Sequence, residues 1–265
     1  MTEASPSPIV YEGQKNQVSW YGICFSDKEI FEHLMIEDVT ARIHDEEFTK
    51  EYEKHLRSLV LTGFGRKNLE KLLSSEVLEE RDWAIGEAIA EVYLKNNYKV
   101  IWPWNSERDK KTPLASLPGA DLVGFEIEGG TVRIVLGEVK TSSDVKTPPG
   151  IMKGRSGMIH QLDRLSSDLG IVLQLLFWLW PRCKGNAYFE RLHDSALTLY
   201  LNSGNKSVAL FGVLIRDTEP NYLDLKNRGH ALAEILQDPT TCRLVAIYLP
   251  CSINTLPDYI GGSKA

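Results

Sequence analysis

Apolar residues along this chain fall into runs of two kinds. Residues 208–216 (VALFGVLIR) are apolar almost throughout and read as a strand. Residues 18–25 (VSWYGICF), 98–102 and 243–249 read as further strands. Helical periodicity marks 82–96, 158–180, 186–200 and 223–236. Between residues 26 and 80 the pattern is mainly helical, clearest in EEFTKEYEKHLRSLVL and interrupted at Thr62-Gly63-Phe64-Gly65. Strands and helices alternate from residue 81 onward, which predicts an α/β fold. The expected division is an N-terminal accessory or docking region over 1–80 and a core over 81–265.

The segment 119–140 (GADLVGFEIEGGTVRIVLGEVK) carries the chemistry. Two apolar stretches flank Glu128-Gly129-Gly130, and a Gly-Gly step between β-branched runs predicts a tight hairpin. Strand alternation puts Glu138 and Lys140 on one face and Val139 on the other. Closing the hairpin brings Asp121, at the start of the first strand, towards Glu138 and Lys140, near the end of its partner. An Asp and a Glu-x-Lys on a solvated edge would be an ordinary surface ion pair. Here Val132, Ile134, Val135 and Leu136 lead into Glu138, so the strand reads as buried. Two buried carboxylates repel unless a cation lies between them.

Asp121, Glu138-Val139-Lys140 and the 17-residue step between them resemble the D…ExK signature of the PD-(D/E)XK nuclease superfamily. The preceding RDWAIGEAIAEVYLKNNYKVIW resembles that superfamily's opening helix and strand, with Glu87 at the position of the helix carboxylate. The usual proline directly before the Asp is absent; Pro118 lies three residues earlier. The resemblance implies a restriction-endonuclease-like core, a mixed sheet flanked by helices, and hydrolysis of DNA phosphodiesters. Asp121, Glu138 and the Val139 carbonyl, with Glu87 assisting, would hold Mg²⁺, for which Mn²⁺ would substitute. Lys140 would be catalytic, and Gln161 on the following helix an auxiliary residue or a solvent-facing one. His160 is a weaker general-base candidate. The wider layout, with SWYGICF, PGADLVGF and LGEVKTS, also resembles the nuclease subunits of the bacterial Hachiman antiphage defence system, the HamA family. That resemblance implies a superfamily 2 helicase partner, HamB-like, in a hetero-complex. A stand-alone repair or restriction nuclease, and a non-catalytic module serving as a binding platform, remain as alternatives.

Composition narrows the picture further. The 265 residues, 43% hydrophobic and 25% charged, are ordinary for a globular protein with a full core. The longest apolar stretch, 169–180, is too short for a bilayer, and MTEASPSPIV has neither the basic start nor the apolar stretch of a signal peptide. A cytoplasmic location is expected. Four cysteines without CxxC spacing argue against a zinc site or a disulfide scaffold. The net charge of −6 is unusual for a protein that grips DNA unaided. A local basic source exists in Lys146, Lys153 and Arg155, within a Pro- and Gly-bearing loop at 141–157 expected to be mobile or ligand-ordered. His33, His44 and His55 read as surface residues. Phe177, Trp178 and Trp180 read as core packing, with an exposed partner-binding cluster as the alternative.

Overall fold

The computed structural model describes residues 8–75, 82–110 and 119–260. The chain opens with an antiparallel pair, β1 (Ile9–Lys15) and β2 (Val18–Cys24). Asp27 then caps α1 (Lys28–His33), accepting from the N–H groups of Glu29 and Ile30. A π-helical turn at Leu34–Val39 carries the chain into α2 (Thr40–Ile43). Phe31, Met35, Val39 and Ile43 recur every four residues along this stretch and are all buried. Next come α3 (Glu46–Leu59), α4 (Gly63–Leu73) and the long α5 (Asp82–Tyr98).

The predicted hairpin is β3 (Leu122–Glu128) and β4 (Thr131–Ser142). Gly129 and Gly130 take φ of 58° and 81°, left-handed values that a two-residue hairpin of this hand requires at both central positions. The expected helical stretch 158–180 is two helices, α6 (Met158–Ser167) and α7 (Leu169–Cys183). Asp168 breaks it by leaving the helical region, ψ 94°, and capping Gly170 and Ile171. The remainder is α8 (Ala187–Asn202), β5 (Val208–Arg216), α9 (Lys226–Ile235), β6 (Thr241–Tyr248) and α10 (Leu256–Ile260). The strand expected at 98–102 is a single bridge, Ile101 to Phe125, because α5 runs on to Tyr98 and leaves too few residues for a ladder.

The six strands form one mixed sheet in the order β1-β2-β6-β5-β4-β3. The four inner strands are parallel, and the antiparallel β1 and β3 close the edges. β5, in the middle, is buried at every position, consistent with its unbroken apolar run. Period-2 alternation splits the core into two layers. Ile134, Leu136, Leu210 and Leu214 pack beneath α6 to α9, while Val135, Val139, Phe211 and Val213 pack beneath α5 and the α1–α2 stretch. Residues 9–43 share this sheet and core: β2 pairs with β6 from Val18↔Cys242 to Cys24↔Tyr248. The expected unit of 1–80 therefore does not stand apart over that stretch. Only α3 and α4 contribute little, with Leu69 their sole buried residue among those described. No helix among the described residues is long and apolar enough to cross a membrane.

α5 reaches the sheet closely through one glycine. A Cβ built on Gly86 would lie 2.0 Å from the Thr141 Oγ1 and 3.3 Å from its Cβ, so no larger side chain fits without movement. Replacing a mid-helix glycine by alanine favours an exposed helix by about 1 kcal/mol. Overpacking a core contact costs about 1–3 kcal/mol. Gly86→Ala is expected to destabilise the protein by denaturant unfolding, and Thr141→Ala in the same chain to recover most of that loss.

Candidate functional site

β4 is twelve residues long and β3 seven, and their pairing starts at Leu122↔Gly137. Beyond Gly137, β4 is paired by a strand on one side only, through β5. Asp121 fills the other side: its Oδ2 accepts from the Val139 N–H at 2.8 Å, continuing the ladder by one side-chain rung. In an extended strand a residue's N–H and C=O point to the same edge, so the Val139 carbonyl faces this gap as well. Glu138 lies buried next along the strand, and its Oε1 pairs with the Lys140 ammonium. The hairpin thus assembles Asp121, Glu138, Val139 and Lys140 at the carboxyl end of a parallel strand, where open α/β sheets bind ligands.

These carboxyls are held under tension. Burial, then the neighbouring Asp121 charge, pushes Glu138 from 4.5 to about 7, against the pull of Lys140. Burial also raises Asp121, opposed by its bond from Val139 and by Lys140. Glu87 rises from 4.5 to about 8, through burial first and the Asp121 charge second.

The structure does not gather all three carboxyls into one cluster. Glu138 and Lys140 share the sheet face of Ile134 and Leu136, beneath α6 to α9. α5 lies on the opposite face, against Thr141, and carries Glu87 there. Asp121, beyond the end of β3, is the residue that acts electrostatically on both Glu87 and Glu138. Among the described residues no group of three or more His, Cys, Asp or Glu side chains is arranged to hold a metal ion. Asp121, Glu138 and the Val139 carbonyl remain as a set of hard oxygen donors. Mg²⁺ commonly binds through one or two carboxylates and completes its shell with water, so this set fits it.

Sequence reasoning missed the groups around Glu87. Lys110 has a side chain only 4% exposed, donates to Glu107 Oε1 at 2.6 Å and lies 4.7 Å from the centre of the Trp83 ring. Its charge lowers both Glu87 and Asp121. Glu91, one turn after Glu87, is buried and paired with Arg42. The i, i+4 spacing of Glu87 and Glu91 was visible in the sequence; the partners from residues 42 and 110 were not.

The loop expected to be mobile or ligand-ordered is anchored by the chain itself. Asp144 accepts from the N–H groups of Lys146 at 3.0 Å and Gly150 at 2.9 Å. The buried Arg216 donates to the carbonyls of Asp144 at 2.6 Å and Lys146 at 3.3 Å, and Met152 is buried. Lys146, Lys153 and Arg155 are exposed on it. Gln161 is half-buried on α6, and no hydrogen bond joins its side chain to Asp121, Glu138 or Lys140. His160, His33, His44 and His55 are exposed, and the four cysteines are unpaired. Phe177 points outward and Trp180 is 40% exposed with its ring against the buried His193, while Trp178 donates to Asp109 Oδ2 at 2.9 Å and stacks with Arg182. Pro118 lies outside the described residues. No protein-family model matches the chain, and no curated protein matches it.

Glu87 and Glu138 hold protons more tightly folded than unfolded, so their contribution favours the fold below the ordinary carboxylate value. That contribution is lost as pH rises through about 7 for Glu138 and about 8 for Glu87. In metal-free buffer the thermal midpoint is expected to fall between pH 5 and pH 8. Glu138→Gln should flatten part of this slope and melt higher than the parent at pH 8. Equal slopes for the two proteins would contradict the assignment of Glu138 as a strained buried carboxyl.

Proposed function

We propose that this chain is a metal-dependent deoxyribonuclease with a PD-(D/E)XK-type core. The observation that carries the reading is the Asp121 bond to the Val139 N–H, which sets a part-buried and a buried carboxyl near Lys140 at the open end of β4. Buried carboxyls that repel one another are destabilising, and such arrangements are characteristic of sites that do chemistry. Mg²⁺ held by Asp121, Glu138 and the Val139 carbonyl would neutralise phosphate charge and make a bound water more acidic. Asp121 stays fixed by its backbone bond and so presents its second oxygen in a set direction. Glu138 is fixed in register on a strand paired with β5. Lys140 would orient the attacking water and stabilise negative charge on the phosphate. Glu87 would act through Asp121, tuning its charge from the other face. The anchored loop would present Lys146, Lys153 and Arg155 to the DNA backbone as positioning contacts.

The same reading includes a superfamily 2 helicase as partner and a place in bacterial antiphage defence. Support comes from the layout resemblance and from a net charge of −6, which leaves most of the DNA grip to another subunit. A second reading, a non-catalytic module of the same fold, is favoured by the position of Glu87 on the opposite sheet face.

Cleavage of circular plasmid with Mg²⁺ separates the two readings. Glu138→Ala and Lys140→Ala are each expected to reduce cleavage by at least about a hundredfold while the protein stays folded. EDTA should stop the reaction and Mn²⁺ restore it. Mg²⁺ should also raise the thermal midpoint of the parent but not of Asp121→Asn, a readout independent of turnover. Cleavage by the double variant at the parental rate would remove the site assignment. Absence of both cleavage and a Mg²⁺-dependent midpoint shift in the parent would favour the non-catalytic module.

For the partner, co-purification with a superfamily 2 helicase encoded beside this chain is expected to give a stable complex. That complex should cut DNA only when ATP and a loading end are present. A chain that ignores such a helicase on size exclusion would end the partner reading and leave the site untouched.

A further inference from the structure

The chain between β4 and α6 is a shaped loop rather than a tether. Asp144 folds its start, accepting from the N–H groups of Lys146 and Gly150, while its own N–H donates to Ser142 Oγ at 3.2 Å. Pro149 and Met152 are buried. The far end is equally tight. Gly157 donates to the Gly154 carbonyl at 3.0 Å, and a Cβ built on Gly157 would lie 2.5 Å from the Lys153 carbonyl. Lys146, Lys153 and Arg155 stand exposed on this frame. Asp144, the one acid between Lys140 and Gly157, has its carboxylate occupied by backbone N–H groups.

The frame is tied to the core by a single side chain. Arg216 ends β5 and pairs with Ser142, two rows beyond the Glu138↔Gly212 pair and one beyond Lys140↔Leu214 in side-chain alternation. It therefore lies on the sheet face of Glu138 and Lys140, towards the carboxyl end of the strands. Its guanidinium is buried, 1% exposed, and donates to the carbonyls of Asp144 and Lys146. Behind it Asp224, fully buried, places Oδ2 3.5 Å from the Arg216 Nε and accepts from the Tyr248 hydroxyl at 2.8 Å. Among the described residues, Arg216 Nε and Asp224 Oδ1 find no hydrogen-bond partner. A buried ion pair left incomplete in this way is often less stable than apolar residues of the same volume. Its use lies in what it holds, and the hydrogen bonds Arg216 does make go to the loop.

We propose that Arg216 is a positioning residue for DNA binding: held by Asp224, it keeps the 143–157 loop in the one shape that sets Lys146, Lys153 and Arg155 against the phosphate backbone beside the β4 site. The role rests on the nuclease reading. A loop ordered before binding loses less entropy when it meets its ligand, so the brace acts on affinity rather than on the chemical step.

The double substitution Arg216→Met with Asp224→Asn removes both charges together and leaves no buried charge unpaired. Arg216→Lys keeps the charge but not the fork that spans two carbonyls, and serves where the double variant does not fold. Trypsin is expected to cut the double variant after Lys146, Lys153 or Arg155 roughly tenfold faster than the parent, with Arg216→Lys in between. On a short duplex, with Ca²⁺ in place of Mg²⁺, the affinity of the double variant should fall about tenfold. Its plot of log affinity against log salt should be shallower by up to about 3, the share of three phosphate contacts. With plasmid and Mg²⁺, KM should rise by more than kcat falls, a split that general loss of folded protein would not produce. Tryptic rates equal to the parent's in both variants overturn the brace. A loosened loop with parental DNA affinity and salt slope overturns the positioning role and leaves the nuclease reading standing. A parent that binds no DNA ends the nuclease reading and this role together, while the tryptic rates still report the brace.

Discussion

The site depends on β4 outrunning β3. A parallel strand buried on both faces must keep its hydrogen bonds, and β4 does so through β5 along its whole second half. On its other edge the backbone partner ends at Leu122, and the next rung is a carboxylate, Asp121. That exchange of a backbone acceptor for a side-chain acceptor brings a charge to the strand end without leaving the Val139 N–H unsatisfied. It also fixes the register: a slip of one residue would turn Glu138 and Lys140 to the α5 face and Val139 towards α6.

The electrostatics follow from that geometry. Glu138 is buried and Asp121 part-buried, and the Asp121 charge makes Glu138 harder to ionise. Lys140 relieves Glu138 and Lys110 relieves Asp121 and Glu87, but all three carboxyls remain raised. The sheet keeps Glu87 and Glu138 on opposite faces, so Asp121 is the hinge of the whole arrangement. An acidic centre built this way trades stability at neutral pH for a place where a cation is welcome.

Supporting parts reach the site from distant segments. Arg216, paired beside Ser142 at the end of β5, holds the loop after Lys140 through two carbonyls, and Asp224 and Tyr248 surround the same interior. Gly86 allows α5 to lie directly on Thr141, which sets how near Glu87 comes to Asp121. The basic residues of the 141–157 loop are therefore carried on a braced segment rather than a free one.

Local periodicity determined much of this protein. The Gly129-Gly130 hairpin, the buried β5 and the shared face of Glu138 and Lys140 all follow from alternation of period 2 and from what glycine alone permits at positive φ. The helix from residue 82 was legible from its helical pattern, and the order Glu87, Asp121, Glu138, Lys140 could be read directly along the chain. Tertiary structure decided what depends on pairing between distant residues. It placed β2 beside β6 and so drew residues 9–43 into the core, since parallel pairing across more than two hundred residues leaves no mark on local pattern. It reduced 98–102 to one bridge, split 158–180 at Asp168 and braced the loop with Arg216. It also set Glu87 on the face opposite Glu138, because which side of a sheet a helix covers is fixed by packing and chain crossover, not by the spacing of residues within the helix.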